Sequence, residues 1–213
     1  MPKNNEVSMS VIRRLPRYYR FLGELLRTGV ERVSSRELSN LMGLTASQIR
    51  QDLNCFGGFG QQGYGYNVPH LHEEISKILG LQSQQKTILI GAGNLGRAII
   101  SYSSFKGKGF ELIGVFDRDP NLIGTKIANQ TIIDVKEMGE FCKQNSPTVA
   151  ILCVPKTSAH AIVEKLVELG IQGFWNFSHY DIMMDYPNVV AENVHLSDSL
   201  MTLSYKVTNH TKQ

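Results

Sequence analysis

Glycines, arginines and amides at fixed spacing carry the chemistry of this sequence. Thr87-Ile-Leu-Ile-Gly91-Ala92-Gly93-Asn94-Leu95-Gly96-Arg97 drives an apolar, β-branched run into a Gly-x-Gly-x-x-Gly turn. Leu95, Ala98, Ile99 and Tyr102 then repeat at helical spacing. Strand, tight turn, helix is the context in which such a turn holds a dinucleotide. Gly91 allows the turn, Gly93 lets the backbone approach a pyrophosphate, and Gly96 lets helix and strand pack closely. The helix N-terminus then offers free N–H groups and a positive dipole end to the phosphates. A second apolar run, 111–117, ends in Asp117, at about the offset where the adenosine ribose hydroxyls are read. That carboxylate favours NAD(H) over NADP(H), because it pairs with a ribose hydroxyl and repels a 2′-phosphate. Arg118 beside it tempers this preference. Val154 and Pro155, ending a later strand, and Asn176 and Phe177, ending the next, lie where open α/β sheets bind ligands, so they are candidates for the nicotinamide end.

A second constellation points to nucleic acid. Residues 1–56 hold nine Lys/Arg against five acids, whereas the rest of the chain has thirteen against fourteen. The basic surplus is therefore local, and eight of the nine are arginine, whose fork of donors suits phosphate. Arg13, Arg17 and Arg20 share one face of an expected helix, with Arg14 beside them. Ser34-x-x-Glu37 and Thr45-x-x-Gln48 are two capping boxes, each opening a short helix, with Met42-Gly43-Leu44 as the turn between them. The second helix turns Ala46, Ile49 and Leu53 inward and leaves Ser47, Gln48, Arg50, Gln51 and Asn54 outside. Amides and an arginine on that face match base edges and phosphates. Gly57–Tyr66, with Gly63 and Tyr64 near its tip, alternates glycines and aromatics as a wing-like hairpin does.

The elements that must position these groups follow from periodicity. A helix is expected over 11–28 with a stripe of Leu15, Tyr19, Leu22 and Leu26, starting at Pro16 if the proline takes its first turn. Another is expected over 68–79, before a polar boundary at 82–86. Beyond the glycine turn, strands at 111–117, 131–133, 148–154 and 173–176 alternate with helices at 95–105, 135–144 and 158–169, which implies a parallel sheet covered on both faces. A last helix, about 196–207, carries Leu196, Leu200, Leu203 and Val207 as a stripe that needs a partner, in its own domain or in a second subunit. The domains expected are 1–80, 86–194 and 195–213. Cys55, Cys142 and Cys153 form neither a disulfide framework nor a metal site. With no signal segment or membrane-length apolar run, a cytoplasmic protein without membrane or metal partners is expected.

The order of parts resembles the Rex family of redox-sensing transcriptional repressors. The resemblance covers nearly the whole chain and rests on Ile12-Arg-Arg-Leu-Pro-Arg-Tyr-Tyr-Arg20, Ser34-Ser-Arg-Glu-Leu38, Gln48-Ile-Arg-Gln-Asp-Leu53 with Phe56-Gly57, Gly63-Tyr-Gly-Tyr66, and Val190-Ala-Glu-Asn-Val194. It implies an α/β protein: a winged helix-turn-helix domain, a Rossmann-type parallel-sheet domain, and a C-terminal helix swapped between the subunits of a homodimer. It further implies NADH and NAD+ as ligands and palindromic double-stranded operator DNA as partner, held when NADH is scarce and released when NADH binds. A network coupling nucleotide to DNA would use Arg20 and Tyr102. His195 stands where many members have aspartate, so either Asp198, one turn later, takes that part or the coupling differs. Gln62 departs from an arginine near the wing tip. A nicotinamide-dependent enzyme using His160, His179 or His195 is disfavoured, since about 110 residues of nucleotide domain leave no room for a substrate domain. No catalytic residue is assigned. A thiol input through Cys55 is a subsidiary alternative.

Overall fold

The computed structural model describes residues 7–61, 64–102, 105 and 107–210, the side chains of Gln61 and Tyr102 excepted. The chain separates into two units, Met1–Gln82 and Ser83–Gln213.

In the first unit, α1 (Met9–Ile12) and α2 (Leu15–Arg27) replace the single helix expected over 11–28. Pro16 sits in the first turn of α2, where its missing N–H costs nothing, and the break falls at Arg13–Arg14. Gly29, at φ +75°, follows the end of α2. The buried stripe is Leu15, Tyr18 and Leu22, so Tyr18 takes the core position and Tyr19 is only half-buried. Then come β1 (Arg32–Val33), α3 (Ser35–Met42), α4 (Ala46–Asn54), β2 (Gly60–Gln61), β3 (Gly65–Asn67) and α5 (Val68–Ile78). Ser34 and Glu37 form the reciprocal capping box, and Gly43 ends α3 in the left-handed region. Strands β1, β3 and β2 make a small antiparallel sheet behind the helix-turn-helix. Leu38, Met42, Ile49, Leu53, Leu71 and Ile75 join α2 in one core.

The second unit runs β4 (Gln85–Ile90), α6 (Asn94–Tyr102), β5 (Phe110–Asp117), β6 (Lys126–Ile127), β7 (Gln130–Asp134), a 3-10 turn at Val135–Glu137, α7 (Met138–Asn145), β8 (Val149–Leu152), α8 (Lys156–Glu168), β9 (Gly173–Asn176), α9 (Ile182–Asp185), β10 (Val190–Asn193) and α10 (Leu196–His210). The sheet order is β10-β9-β8-β4-β5-β7-β6. All neighbours are parallel except β6, which turns back on β7. The chain leaves β4 toward β5, then returns to β8 on the other side, which puts the topological switch point between β4 and β8. Helices α7 and α8 cover one face through Met138, Cys142, Val163 and Leu166. Helix α6 covers the other through Ile99 and Ile100. That second face opens into a groove of about 720 Å³ lined by Thr87, Phe105, Val149, Ile151, Trp175 and Val190, among others.

Candidate dinucleotide site and nucleic-acid interface

The glycine turn follows β4 at the switch point. Gly91 has φ +99°, and a Cβ there would lie 2.5 Å from the Cys153 carbonyl oxygen, so the turn passes hard against the end of β8. A Cβ on Gly96 would lie 2.0 Å from the Gly91 carbonyl oxygen, which presses the first turn of α6 onto the glycine turn. Gly93 differs: nothing lies within 4 Å of its Cβ position, and the residue is exposed. The turn is thus closed on its protein side and open where a phosphate would approach. Asn94 and Leu95 begin α6, whose first-turn N–H groups have no intrahelical partner.

Across the turn, Asp117 ends β5. Its carboxylate accepts from the Ala92 N–H at 2.6 Å, the Arg118 N–H at 2.7 Å and the Asp119 N–H at 2.9 Å. Three backbone donors hold it beside the glycine turn, while the Arg118 side chain is exposed. Arg97 donates Nε–H to the Ala92 carbonyl at 3.2 Å and braces the turn from α6. An adenine dinucleotide fits this set: a cradle at Gly93, a helix N-terminus, and an anchored carboxylate at ribose distance in sequence.

At the same sheet edge, Val154 is half-buried and Pro155 caps the start of α8, its carbonyl accepting from the Ser158 N–H at 3.0 Å. Asn176 is buried and its amide is fully engaged. Nδ2 donates to the Tyr180 carbonyl (2.7 Å) and to Asn193 Oδ1 (2.8 Å), and Oδ1 accepts from the Ser178 N–H and Oγ–H (3.0 and 2.6 Å). It braces the loop after β9 against the end of β10 rather than offering a free amide. Phe177 meets Trp175 edge to face at 4.9 Å. His179, in the left-handed region at φ +59°, stacks on His195 at 4.7 Å, and His195 Nδ1 lies 3.6 Å from Asp198 Oδ2. Tyr102 closes α6, but its side chain lies outside the described residues, as does Gly63. Among the described residues no three His, Cys, Asp or Glu side chains group as a metal site, and no helix is long and apolar enough to cross a membrane.

In the first unit, Ser47, Arg50, Gln51 and Asn54 are exposed on α4, and Arg50 donates to Ser35 Oγ at 3.1 Å. Arg13, Arg17 and Arg20 are exposed, and the last two guanidiniums flank the Phe21 ring at 5.8 and 5.7 Å. Tyr64 is exposed at the wing, where its carbonyl accepts from Arg32 at 3.3 Å.

Arg14 and Gln48 are engaged elsewhere. Asp52, fully buried on α4, accepts from Arg14 Nε and Nη2 at 2.7 Å each, from Tyr18 Oη at 3.0 Å and from Gln48 Nε2 at 2.8 Å. Burial pushes the Asp52 carboxyl up, but these hydrogen bonds outweigh it and hold it below the usual carboxylate range. Burial and the adjacent carboxylate raise the Tyr18 phenol, which keeps it a donor. The Thr45 box is consequently half made. Thr45 Oγ1 accepts from the Gln48 N–H at 3.1 Å, but the Gln48 amide turns to Asp52 instead of back to the cap. In the sequence Asp52 enters only as one of the five acids of residues 1–56 and as a member of the Gln48–Leu53 segment. Its one signal was a carboxylate on the inward side of α4, three residues after Ile49 and beside Leu53. The Cys55 thiol is exposed and donates to the Gln51 carbonyl at 3.3 Å.

Residues 6–54 match the family model for a putative DNA-binding protein N-terminus, and residues 82–180 match that for a CoA binding domain. The chain is 55% identical over 207 residues to the redox-sensing transcriptional repressor Rex of Thermoanaerobacter pseudethanolicus, covering 97% of this chain and 92% of the relative. It is 52% identical over 202 residues to Rex of Clostridioides difficile, covering 95% and 96%. Among solved structures, RSP in complex with beta-NAD+ and operator DNA superimposes with a TM-score of 0.88 at 53% identity, covering 98% of this chain and 95% of that one. RSP in complex with beta-NADH gives 0.87 at 50% identity, covering 98% and 97%. This chain therefore belongs to the Rex family of redox-sensing transcriptional repressors.

Proposed function

We propose that this chain represses transcription as a homodimer that holds a palindromic operator when NADH is scarce and releases it when NADH binds. The observation that carries the nucleotide half is the closed-and-open glycine turn: Gly91 and Gly96 packed to contact, Gly93 facing space, and Asp117 anchored opposite. The Gly93–Leu95 backbone would hold the pyrophosphate and Asp117 the adenosine ribose. Val154, Pro155 and Phe177 would line the nicotinamide end, with Asn176 shaping it. The DNA half rests on α4, whose exposed Ser47, Arg50, Gln51 and Asn54 meet the major groove, with Arg13, Arg17 and Tyr64 toward the backbone. Two facts support a dimer. Helix α10 has no buried residue, with Leu196, Leu200, Leu203 and Val207 all more than half exposed, and the sheet presents an apolar groove. A stripe of that length needs an apolar partner, which a second copy supplies.

NADH need only favour the released arrangement over the DNA-bound one. Moving the population from 1:99 to 99:1 takes about 5.5 kcal/mol of differential binding. Arg20, Tyr102 and the His195–Asp198 pair are the residues we assign to that coupling. No catalytic step is required. The test is operator binding at fixed salt, titrated separately with NADH and NAD+. Release at far lower NADH than NAD+ is expected, and binding indifferent to both would refute the sensor.

A further inference from the structure

Asp52 ties the reading helix to the rest of its unit. One carboxylate with no exposed surface takes four hydrogen bonds from three side chains on two helices. Arg14 stands at the break between α1 and α2, Tyr18 lies one turn further along α2, and Gln48 lies one turn before Asp52 on α4. The Arg14 fork is bidentate, the geometry that fixes orientation as well as distance. Because an ionised carboxylate only accepts, the Gln48 group facing it is its NH2, which leaves the carbonyl Oε1 as the atom turned away. The same contact takes Gln48 out of its capping box, so the side chain has given up a local bond for this one. The pairing also neutralises Arg14, removing it from the charge that α2 presents to phosphates.

We propose that Asp52 is a positioning residue for operator recognition: with Arg14 and Tyr18 it fixes the pose of α4 and aims Gln48, whose carbonyl oxygen accepts from an exocyclic base amine. The base class is adenine or cytosine, the two that present such a donor in the major groove. Arg14 belongs to this anchor and makes no phosphate contact. The inference rests on α4 being the reading helix.

The experiment measures binding of the full-length protein to operator and scrambled duplexes over a range of salt, for Arg50→Ala, Gln48→Ala, Arg14→Gln and Asp52→Asn. Arg50→Ala is the reference: weakened operator binding establishes α4 as the reading element. Arg14→Gln and Asp52→Asn are then expected to lower the operator-to-scrambled affinity ratio at least about tenfold. Arg14→Gln keeps wild-type affinity for scrambled DNA and a wild-type slope of log K against log salt, because Asp52 already neutralises the charge removed. Asp52→Asn, which releases that cation, is judged by base discrimination. Asp52→Asn should also lose discrimination at the same operator base pair as Gln48→Ala, which a change in overall stability would not produce. If Arg14→Gln instead weakens both duplexes equally and lowers the slope by about 0.9, Arg14 is a phosphate contact and the proposal falls. It falls also if the affinity ratio is unchanged in both variants. Should Arg50→Ala bind operator as the wild type does, the reading-helix assignment fails first, a result distinct from either. If a single charge deletion prevents folding, the double variant Arg14→Gln/Asp52→Asn removes both charges together and carries the same measurement.

Discussion

The turn glycines separate folding from ligand binding, and two alanine substitutions expose the difference. A Cβ on Gly96 would meet the Gly91 carbonyl oxygen at 2.0 Å and Leu89 Cδ2 at 3.3 Å. The nearer obstacle is backbone at the end of β4, so relief means sliding α6 off the sheet and loosening Ile99 and Ile100. Overpacking of this kind costs about 1–3 kcal/mol. At about 2–4 °C per kcal/mol for a protein of this size, Gly96→Ala should melt on the order of 5 °C below the wild type. Gly93→Ala meets no atom within 4 Å and needs no left-handed backbone, so it should melt with the wild type. Its methyl group nevertheless stands where a pyrophosphate would approach, and NADH affinity should fall at least about tenfold, or about 1.4 kcal/mol. Differential scanning fluorimetry and an NADH fluorescence titration on the same preparations give both numbers. A Gly93→Ala protein that binds NADH normally refutes the placement of the pyrophosphate. A Gly96→Ala protein with unchanged Tm refutes the steric argument.

Asp117→Ala removes the acceptor for three backbone N–H groups and for the ribose; NADH titrations should show about a tenfold loss with a narrowed margin over NADPH, and an unchanged margin would exclude Asp117 as the discriminator. Leu200→Asp with Leu203→Asp puts two carboxylates on the exposed stripe of α10, and light scattering should report a dimer for the wild type and monomers for the variant; a persisting dimer would place the interface elsewhere. His72 stacks on Tyr19 at 4.1 Å, and burial holds its pKa below the usual histidine value. Its contribution is therefore fully present above about pH 6.5 and is lost as pH falls through the lowered folded value, because the unfolded state then binds more protons. Thermal melts of the wild type at pH 7.5 and 5.5 should show this loss and His72→Phe should show less of it; equal losses would assign the pH dependence to another group.

The nucleotide-binding unit was legible because its signals are local. An apolar run, a glycine turn and a helical repeat lie consecutively between Thr87 and Tyr102, and β4, α6 and β5 form within a few residues of their expected bounds. The misses are the elements whose cause is distant. Strand β10 (Val190–Asn193) has no alternating pattern of its own and exists because the open edge of β9 accepts it in register. Strand β6 is two residues that turn back on β7. In the first helix, the expected Tyr19 and the observed Tyr18 differ by one residue. Breaking the helix at Arg14 resets which face meets the core, and only tertiary packing fixes that rotation.

The candidate site residues were legible by type but not by commitment. Asn176 has the position and chemistry of a ligand-binding amide, yet its two donors and two acceptor sites are taken by Tyr180, Asn193 and Ser178, partners 2 to 17 residues away in sequence. Gln48 reads from its spacing as a capping residue and as part of the outward face of α4 at once, and its contact with Asp52 takes the side chain out of the cap. A buried carboxylate without partners is unstable, so Asp52 takes hydrogen bonds from Arg14, Tyr18 and Gln48, two of which the charge count and the outward face of α4 offer to DNA. A surplus of nine cations over five acids counts the charges without saying which acid binds which arginine. In this domain the buried Asp52 pairs with Arg14, so the aspartate that the count already subtracts cancels one particular cation and turns a phosphate-binding candidate into an anchor of α4.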